Sequence, residues 1–243
     1  MRIAKEALEI RGFELINFTL TKEELLEFNE VMNGLVGNYN VIPILNTMIQ
    51  NYEPWVPQYG GLAAMLRYPW PFRALLRIGF KLTGNGRIWD SVKSLKVLET
   101  KELDDLMKRL ASLHLHMKDK WESLGIEAVI MPNYPIPAFN SANVEQVGSF
   151  RDYQIIWSLL HYPAGALPIT TVQESEASYG DDGFNDMWTR ALQKDIVTSA
   201  GMPVGVQVIS RKWDDEIALA VMKVIDEEVK AKISPPLILA SLL

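Results

Sequence analysis

The sequence predicts an α/β fold in which helices cover a mixed β-sheet. Two apolar stretches and one long helical pattern support this prediction. Residues 201–209 are rich in β-branched side chains, and Val204, Val206 and Val208 alternate with other mostly apolar residues. Such a strand is expected to be covered on both faces. In residues 162–172, prolines and a glycine predict a turn that opens into a strand at 169–172. Apolar residues recur every three or four positions across 100–124, which predicts an amphipathic helix that Gly125 ends.

The remaining elements alternate along the chain, as in α/β proteins. Short strands are predicted at 13–18 and at 126–131, where Pro132 follows. Gly205 indicates a close backbone or ligand approach within the 201–209 strand. Further helices are predicted at 2–11, from the Thr21 capping box to about 33, at 149–161, at 184–199 and from Asp214 or Asp215 to about 230.

Composition limits the classes of function. The chain has 243 residues, 48% of them hydrophobic, and a formal net charge of −6, which argues against a nucleic-acid partner. It has no cysteine, so disulfides, cysteine-ligated metals and thiol catalysis are excluded. We expect no signal peptide, because residues 1–9 are charged and lack an apolar centre, and no apolar window of the sequence is long enough to span a membrane. We expect no cofactor.

Three polar groupings contain residue types found in catalytic or metal sites, and the pattern of each favours a structural role. His114 and His116 lie two apart on the predicted long helix, so they cannot bind one metal together. Ser158 and His161 are three apart, but no nucleophile-elbow motif accompanies them. The Ser-x-Lys pairs within 91–96 lie in a polar stretch, where a lysine keeps its ordinary charge.

The stretches Pro-Ala-Gly…Pro-Ile-Thr-Thr-Val at 163–172 and Gly-Met-Pro-Val-Gly-Val-Gln at 201–207, with Trp188 between them, resemble the amidase signature family. The Asp-Met-Trp at 186–188 and the insert at 54–89 are similar to its fatty-acid-amide branch. The resemblance implies a serine hydrolase of fatty acid amides with a Ser–cis-Ser–Lys triad. No Gly/Ser-rich signature occurs in the chain. The chain is therefore interpreted as the C-terminal half of such an enzyme, residues 1–243 forming a partial amidase domain that is inactive alone.

The resemblance also implies site residues and partners. Ile155, Phe184 and Trp188 are the candidates for lining the acyl channel. The expected partners are a membrane lipid surface and, in the intact enzyme, a lipid amide, and a homodimer is left open. The expected location is peripheral or monotopic on an intracellular membrane. The alternative is a non-catalytic membrane-surface or lipid-binding protein derived from an amidase.

Residues 54–89 are predicted to form a membrane-binding helical cap. The segment contains five basic residues and no acidic one. Prolines split it, and a second helix is expected from about Phe72. A basic stripe beside apolar residues is typical of a helix that lies in the bilayer interface. The residues proposed for membrane contact are Trp70, Phe72, Arg73, Leu76, Arg77, Phe80 and Lys81.

Overall fold

The central strand of the sheet is the stretch that the sequence singles out. The computed structural model describes residues 1–38, 70–94, 96–140 and 152–229. Its sheet contains β1 (Ala128–Pro132), β2 (Ala164–Thr171) and β3 (Pro203–Ser210) in the order β1–β3–β2. Both strand pairs are antiparallel. The predicted combination of helices and sheet is confirmed, although the described strand pairs include no parallel one.

The described part of the chain contains eight α-helices besides this sheet. Two 3₁₀-helices, at Glu174–Glu176 and Ile196–Thr198, accompany them. The α-helices are α1 (Arg2–Ile10), α2 (Lys22–Asn38), α3 (Trp70–Leu82), α4 (Gly86–Val92), α5 (Thr100–Leu124), α6 (Asp152–Leu160), α7 (Met187–Asp195) and α8 (Asp215–Val229).

Both faces of β3 are buried, as its sequence predicts. Val206 and Val208 pack into a cluster with residues of α1 and α8. Ile209 points to the other face, into a cluster built by α2, α5 and α6. On that second face Gln207, which is only 3% exposed, donates hydrogen bonds to the carbonyls of Pro132 at 3.2 Å and Tyr153 at 2.6 Å. Its amide thus ties β3 to the end of β1 and to the first turn of α6.

The helix ends follow local sequence signals. The capping box at Thr21 is confirmed, since Thr21 Oγ1 accepts from the Glu24 backbone N–H and the Glu24 carboxylate accepts from that of Thr21. Helix α5 has the predicted bounds and ends at Gly125, whose φ of 63° lies in the left-handed region. Its buried side chains are Leu106, Leu113, Met117 and Trp121.

Three predicted elements differ from the structure. Residues 13–18 form no strand; instead Phe18 packs against Trp121 and Trp157, with ring centroids 6.0 and 6.3 Å apart. The predicted turn before residue 169 already belongs to β2, because an edge strand accommodates proline and a register shift between Pro168 and Thr170 absorbs the irregularity. Helix α7 starts at Met187, later than predicted. The first part of the 54–89 segment and the start of the helix predicted at 149–161 lie outside the described residues.

Candidate functional site

Helix α3 presents an apolar side to solvent. Together with the start of α4, it makes up most of the described part of the 54–89 segment. Leu75 is 63%, Ile78 54% and Leu82 83% exposed, and Phe72 on the same side is 42% exposed. Successive members of this set are three or four residues apart, so they form one stripe. We call Phe72, Leu75, Ile78 and Leu82 the apolar side of α3.

The other two sides of α3 differ in chemistry. Arg77 and Lys81 are exposed and four residues apart, so they share a basic side next to the apolar one. Leu76 and Phe80 are half-buried on the inner side, where the Phe80 ring lies 6.4 Å from that of the buried Trp89 in α4. The sequence-based proposal includes Leu76 and Phe80 among the lipid contacts; both are only partly exposed, and Phe80 also contacts α4. The proposals for Trp70 and Arg73 concern side chains outside the described part of the structure.

Arg87, counted among the cations of 54–89, is neutralised inside the protein. Its guanidinium donates to both carboxylate oxygens of Asp186, each at 2.9 Å, and to Asp182 at 3.3 Å. It also donates to Thr189 Oγ1 at 3.2 Å. The Asp186 side chain is fully buried and Asp182 is 17% exposed. We call Arg87, Asp182, Asp186 and Thr189 the Arg87 junction, which joins α4 to the N-terminus of α7.

Asp186 has a second role in this junction because it is the N-cap of α7. Its Oδ1 accepts from the backbone N–H of Thr189 at 2.9 Å. Burial by itself would raise the pKa of Asp186, but the hydrogen bonds from Arg87 and Thr189 hold that pKa below its ordinary value. The same competition, with the Thr189 hydroxyl and Arg87 opposing burial, lowers the pKa of Asp182. Both carboxylates are therefore charged at neutral pH.

Two of the three predicted acyl-channel residues meet at the junction. The Arg87 Cζ lies 4.2 Å from the ring centroid of Phe184 and 5.3 Å from that of Trp188. Trp188 is buried at 7% exposure, while Phe184 is 56% exposed and precedes the N-cap, outside the helix to which the sequence assigned it. Ile155 is half-buried on α6, whose neighbouring residues Ile156 and Trp157 belong to the cluster around α5.

The three polar groupings of the sequence make ordinary structural contacts in the structure. His114 Nε2 lies 3.1 Å from the Leu159 carbonyl, and His116 lies 2.6 Å from Glu24. The Ser158 hydroxyl donates to the Gln154 carbonyl at 3.3 Å, as an ordinary helix serine does. Lys93 is exposed, with its amine 3.6 Å from Asp90.

The described residues hold neither a cluster of metal ligands nor a membrane-spanning helix. Within residues 1–38, 70–94, 96–140 and 152–229, no three histidine, cysteine or acidic side chains are grouped as metal ligands. No helix in the same ranges has the length and apolarity needed to cross a bilayer.

Sequence reasoning missed the Arg87 junction. Its partners are 95 to 102 residues from Arg87 along the chain. The available signal was the cluster of acidic residues at 181–186, which stands opposite the acid-free stretch 54–89. A basic segment and an acidic loop of one chain attract each other, but their pairing cannot be read from charge alone.

Comparison with known proteins agrees with the fold and the motifs. Fatty-acid amide hydrolase 1 of Sus scrofa is 26% identical over 184 residues, which cover 74% of this chain and 31% of that protein. Fatty acid amide hydrolase 1 of Caenorhabditis elegans is 31% identical over 122 residues, 49% of this chain and 20% of that protein. The chain thus spans about a third or less of the length of these relatives.

A solved structure of fatty acid amide hydrolase matches with a TM-score of 0.60 at 15% identity, covering 94% of this chain and 36% of that one, which supports the fold. The family model described as Amidase matches residues 91–219, more than half of the chain, and starts beyond α3. This chain therefore belongs to the amidase family.

Proposed function

We propose that the chain supplies the acyl-binding and membrane-facing part of a serine amidohydrolase that hydrolyses fatty acid amides to a fatty acid and an amine. The names of its relatives support the substrate class. The observation that carries the proposal is the apolar side of α3, exposed beside a basic side and joined through α4 to the aromatic pair Phe184 and Trp188. Such a helix suits an enzyme whose substrate is dissolved in a bilayer.

The expected binding energy is sufficient for a reversible membrane contact. Full burial of a leucine or isoleucine gains about 1.5–3 kcal/mol, so the partly exposed Leu75, Ile78 and Leu82 together gain roughly 3–6 kcal/mol on insertion. Each basic side chain near an anionic surface adds about 1 kcal/mol. Arg77 and Lys81 therefore add attraction that depends on anionic lipid and falls with salt.

Co-sedimentation with lipid vesicles tests the membrane contact. Changing Leu75, Ile78 and Leu82 to serine is expected to weaken binding to phosphatidylcholine vesicles by about 100-fold or more. Changing Arg77 and Lys81 to glutamate is expected to weaken binding by at least about 30-fold, and only where phosphatidylserine is present and salt is low.

The matched control is Leu115→Ser with Leu219→Ser. These leucines are each 63% exposed, as Leu75 is, but they lie on α5 and α8. The control protein should bind vesicles as the parent does. Parental binding by both α3 variants, or equal loss in the control, would show that α3 is not the membrane contact.

The acyl-chain contact is tested at Phe184, the most accessible of its three proposed residues. Phe184→Ser should weaken binding of a fluorescent long-chain acyl amide at least about 5-fold, since a buried aromatic contact of this kind gains 1 kcal/mol or more. Phe13→Ser is the control, because Phe13 is 40% exposed elsewhere on the surface. Equal binding by the two variants would remove Phe184 from the proposed channel. The homodimer and the intracellular membrane location stay predictions.

A further inference from the structure

We propose that Arg87 is a positioning residue: it holds the α3–α4 unit, and with it the apolar side of α3, on the N-terminal end of α7 beside Phe184 and Trp188. The inference rests on the proposed function, in which α3 contacts lipid and the aromatic pair contacts the acyl chain. It assigns to the Arg87 junction the task of fixing the two relative to each other.

The geometry of the junction requires arginine rather than any cation. The planar guanidinium meets both oxygens of Asp186 at 2.9 Å and at the same time lies over the Phe184 and Trp188 rings. A lysine ammonium supplies a point charge and cannot make the paired hydrogen bonds or stack as a plane. Because Asp186 is also the N-cap of α7, its hydrogen bonds to Arg87 hold the guanidinium at the N-terminus of that helix.

A second, uncharged connection runs in parallel with the Arg87 junction. Thr83 Oγ1 donates to the Gly79 carbonyl in the last turn of α3 at 2.8 Å, and the Asn85 amide donates to Thr83 Oγ1 at 2.9 Å. Asn85 Oδ1 in turn accepts from the backbone N–H of Met187 at 2.8 Å. Since the first N–H groups of a helix have no partner within it, the α3–α4 corner completes the N-terminus of α7.

These connections are concentrated where α3 and α4 meet α7. Asp186, Asn85 and Thr189 are each no more than 5% exposed, so water cannot readily replace a hydrogen bond that these side chains lose. Removing the cation would leave the buried Asp186 carboxylate without its charged partner, which favours separation of α4 from α7. A merely stabilising ion pair would lower the unfolding temperature when removed, but it would not release α3 in the folded protein.

Distance measurements between two spin labels separate these possibilities. The chain has no cysteine, so introduced cysteines are labelled without background. One label replaces the exposed Ala74 of α3 and the other the exposed Val197 that follows α7. A reference pair at Leu115 and Leu219 reports on the body of the protein. All distances are measured in the folded protein without lipid.

Arg87→Gln is expected to at least double the width of the 74–197 distance distribution while the reference distance stays unchanged. Arg87→Lys, which keeps the charge and loses the paired hydrogen bonds, is expected to give an intermediate width. This second variant keeps a cation beside Asp186 and decides the matter even where Arg87→Gln does not fold. Unchanged widths in every variant that folds would overturn the inference.

Arg109→Gln is the matched control. Arg109 joins α5 to α2 by bridging Glu27 at 2.6 Å and Glu30 at 2.9 Å, so it also pairs with two carboxylates across two helices. The 74–197 width should not respond to this change, and an equal response would count against a specific role for Arg87. If the parent protein does not bind vesicles, the proposed membrane role of α3 is refuted. The widths of the distance distributions test the role of Arg87 independently, because they are measured without lipid.

Discussion

Gly205 in the central strand offers the sharpest test of the packing described above. A Cβ atom built on Gly205 would lie 2.8 Å from the carbonyl oxygen of Leu167 and 3.4 Å from its carbonyl carbon. Both contacts are with the backbone of β2, next to the register shift at Pro168. Strand β3 cannot move away, because β1 pairs with its other edge and Asn133 donates to the Gly205 carbonyl at 3.3 Å.

We therefore expect Gly205→Ala to destabilise the protein by about 2 kcal/mol. Overpacking of a closely packed site costs about 1–3 kcal/mol, and the loss of unfolded-state freedom at a glycine offsets only part of it. For a chain of this size the cost corresponds to a fall in the unfolding temperature of about 4–8 °C. Calorimetry or circular dichroism of the parent and variant measures that fall.

Gly34→Ala is the control, since a Cβ there also meets its nearest atom at 2.8 Å. That atom is a terminal methyl of Leu106, which can turn away, and alanine is favoured over glycine within a helix by about 1 kcal/mol. We expect its stability to remain within about 1 kcal/mol of the parent. A Gly205→Ala protein as stable as the parent, or less affected than Gly34→Ala, would refute the assigned close approach.

Three further predictions address other parts of the chain. Gln207→Met should cost about 1–3 kcal/mol in a denaturant titration because it removes the two hydrogen bonds that the buried Gln207 amide donates. The exposed Gln154→Met should cost less than about 0.5 kcal/mol, and equal costs would contradict the role given to Gln207. Burial lowers the pKa of His114; nearby His161 and Lys212 lower it further, and a backbone hydrogen bond opposes them. The unfolded state therefore binds a proton more readily than the folded state, so stability is lost as the pH falls below the unfolded pKa of about 6.5. The acid-induced fall in unfolding temperature should be smaller in His114→Gln, and an identical pH profile would exclude this contribution. The chain alone is expected not to hydrolyse oleamide or a short anilide, because it carries no Gly/Ser-rich signature; turnover that a serine-directed phosphonate stops would prove otherwise.

Local signals predicted those elements whose formation depends on their own residues. Helix α5 repeats its apolar residues at helical spacing for 25 residues and ends at a glycine, and both bounds were predicted. The apolar residues at 13–18 gave an equally local signal for a strand, but a strand needs a partner. Phe18 instead joins the aromatic cluster of Trp121 and Trp157, a contact that no short-range pattern contains.

The candidate site shows the same division. The amphipathic composition of α3 was visible in the sequence, whereas the identity of its exposed apolar residues depended on where α4 packs. Family resemblance identified Phe184 and Trp188 as candidate site residues, whereas only the structure shows that Arg87 contacts both of them. Arg87 looked like one more surface cation because the carboxylates that neutralise it are nearly 100 residues away.

The order of strands in the sheet has a consequence for synthesis of the chain. Within the described residues, β1 and β2 each pair with β3 and not with each other, yet β3 is the last of the three to leave the ribosome. At about 5–20 residues per second, roughly 4–16 s separate completion of β1 from completion of β3. During that interval the edges of β1 and β2 that later pair with β3 are unpaired and can pair with other chains. Nascent chains stopped before residue 203 should therefore depend on chaperones, and release of that dependence should coincide with emergence of β3.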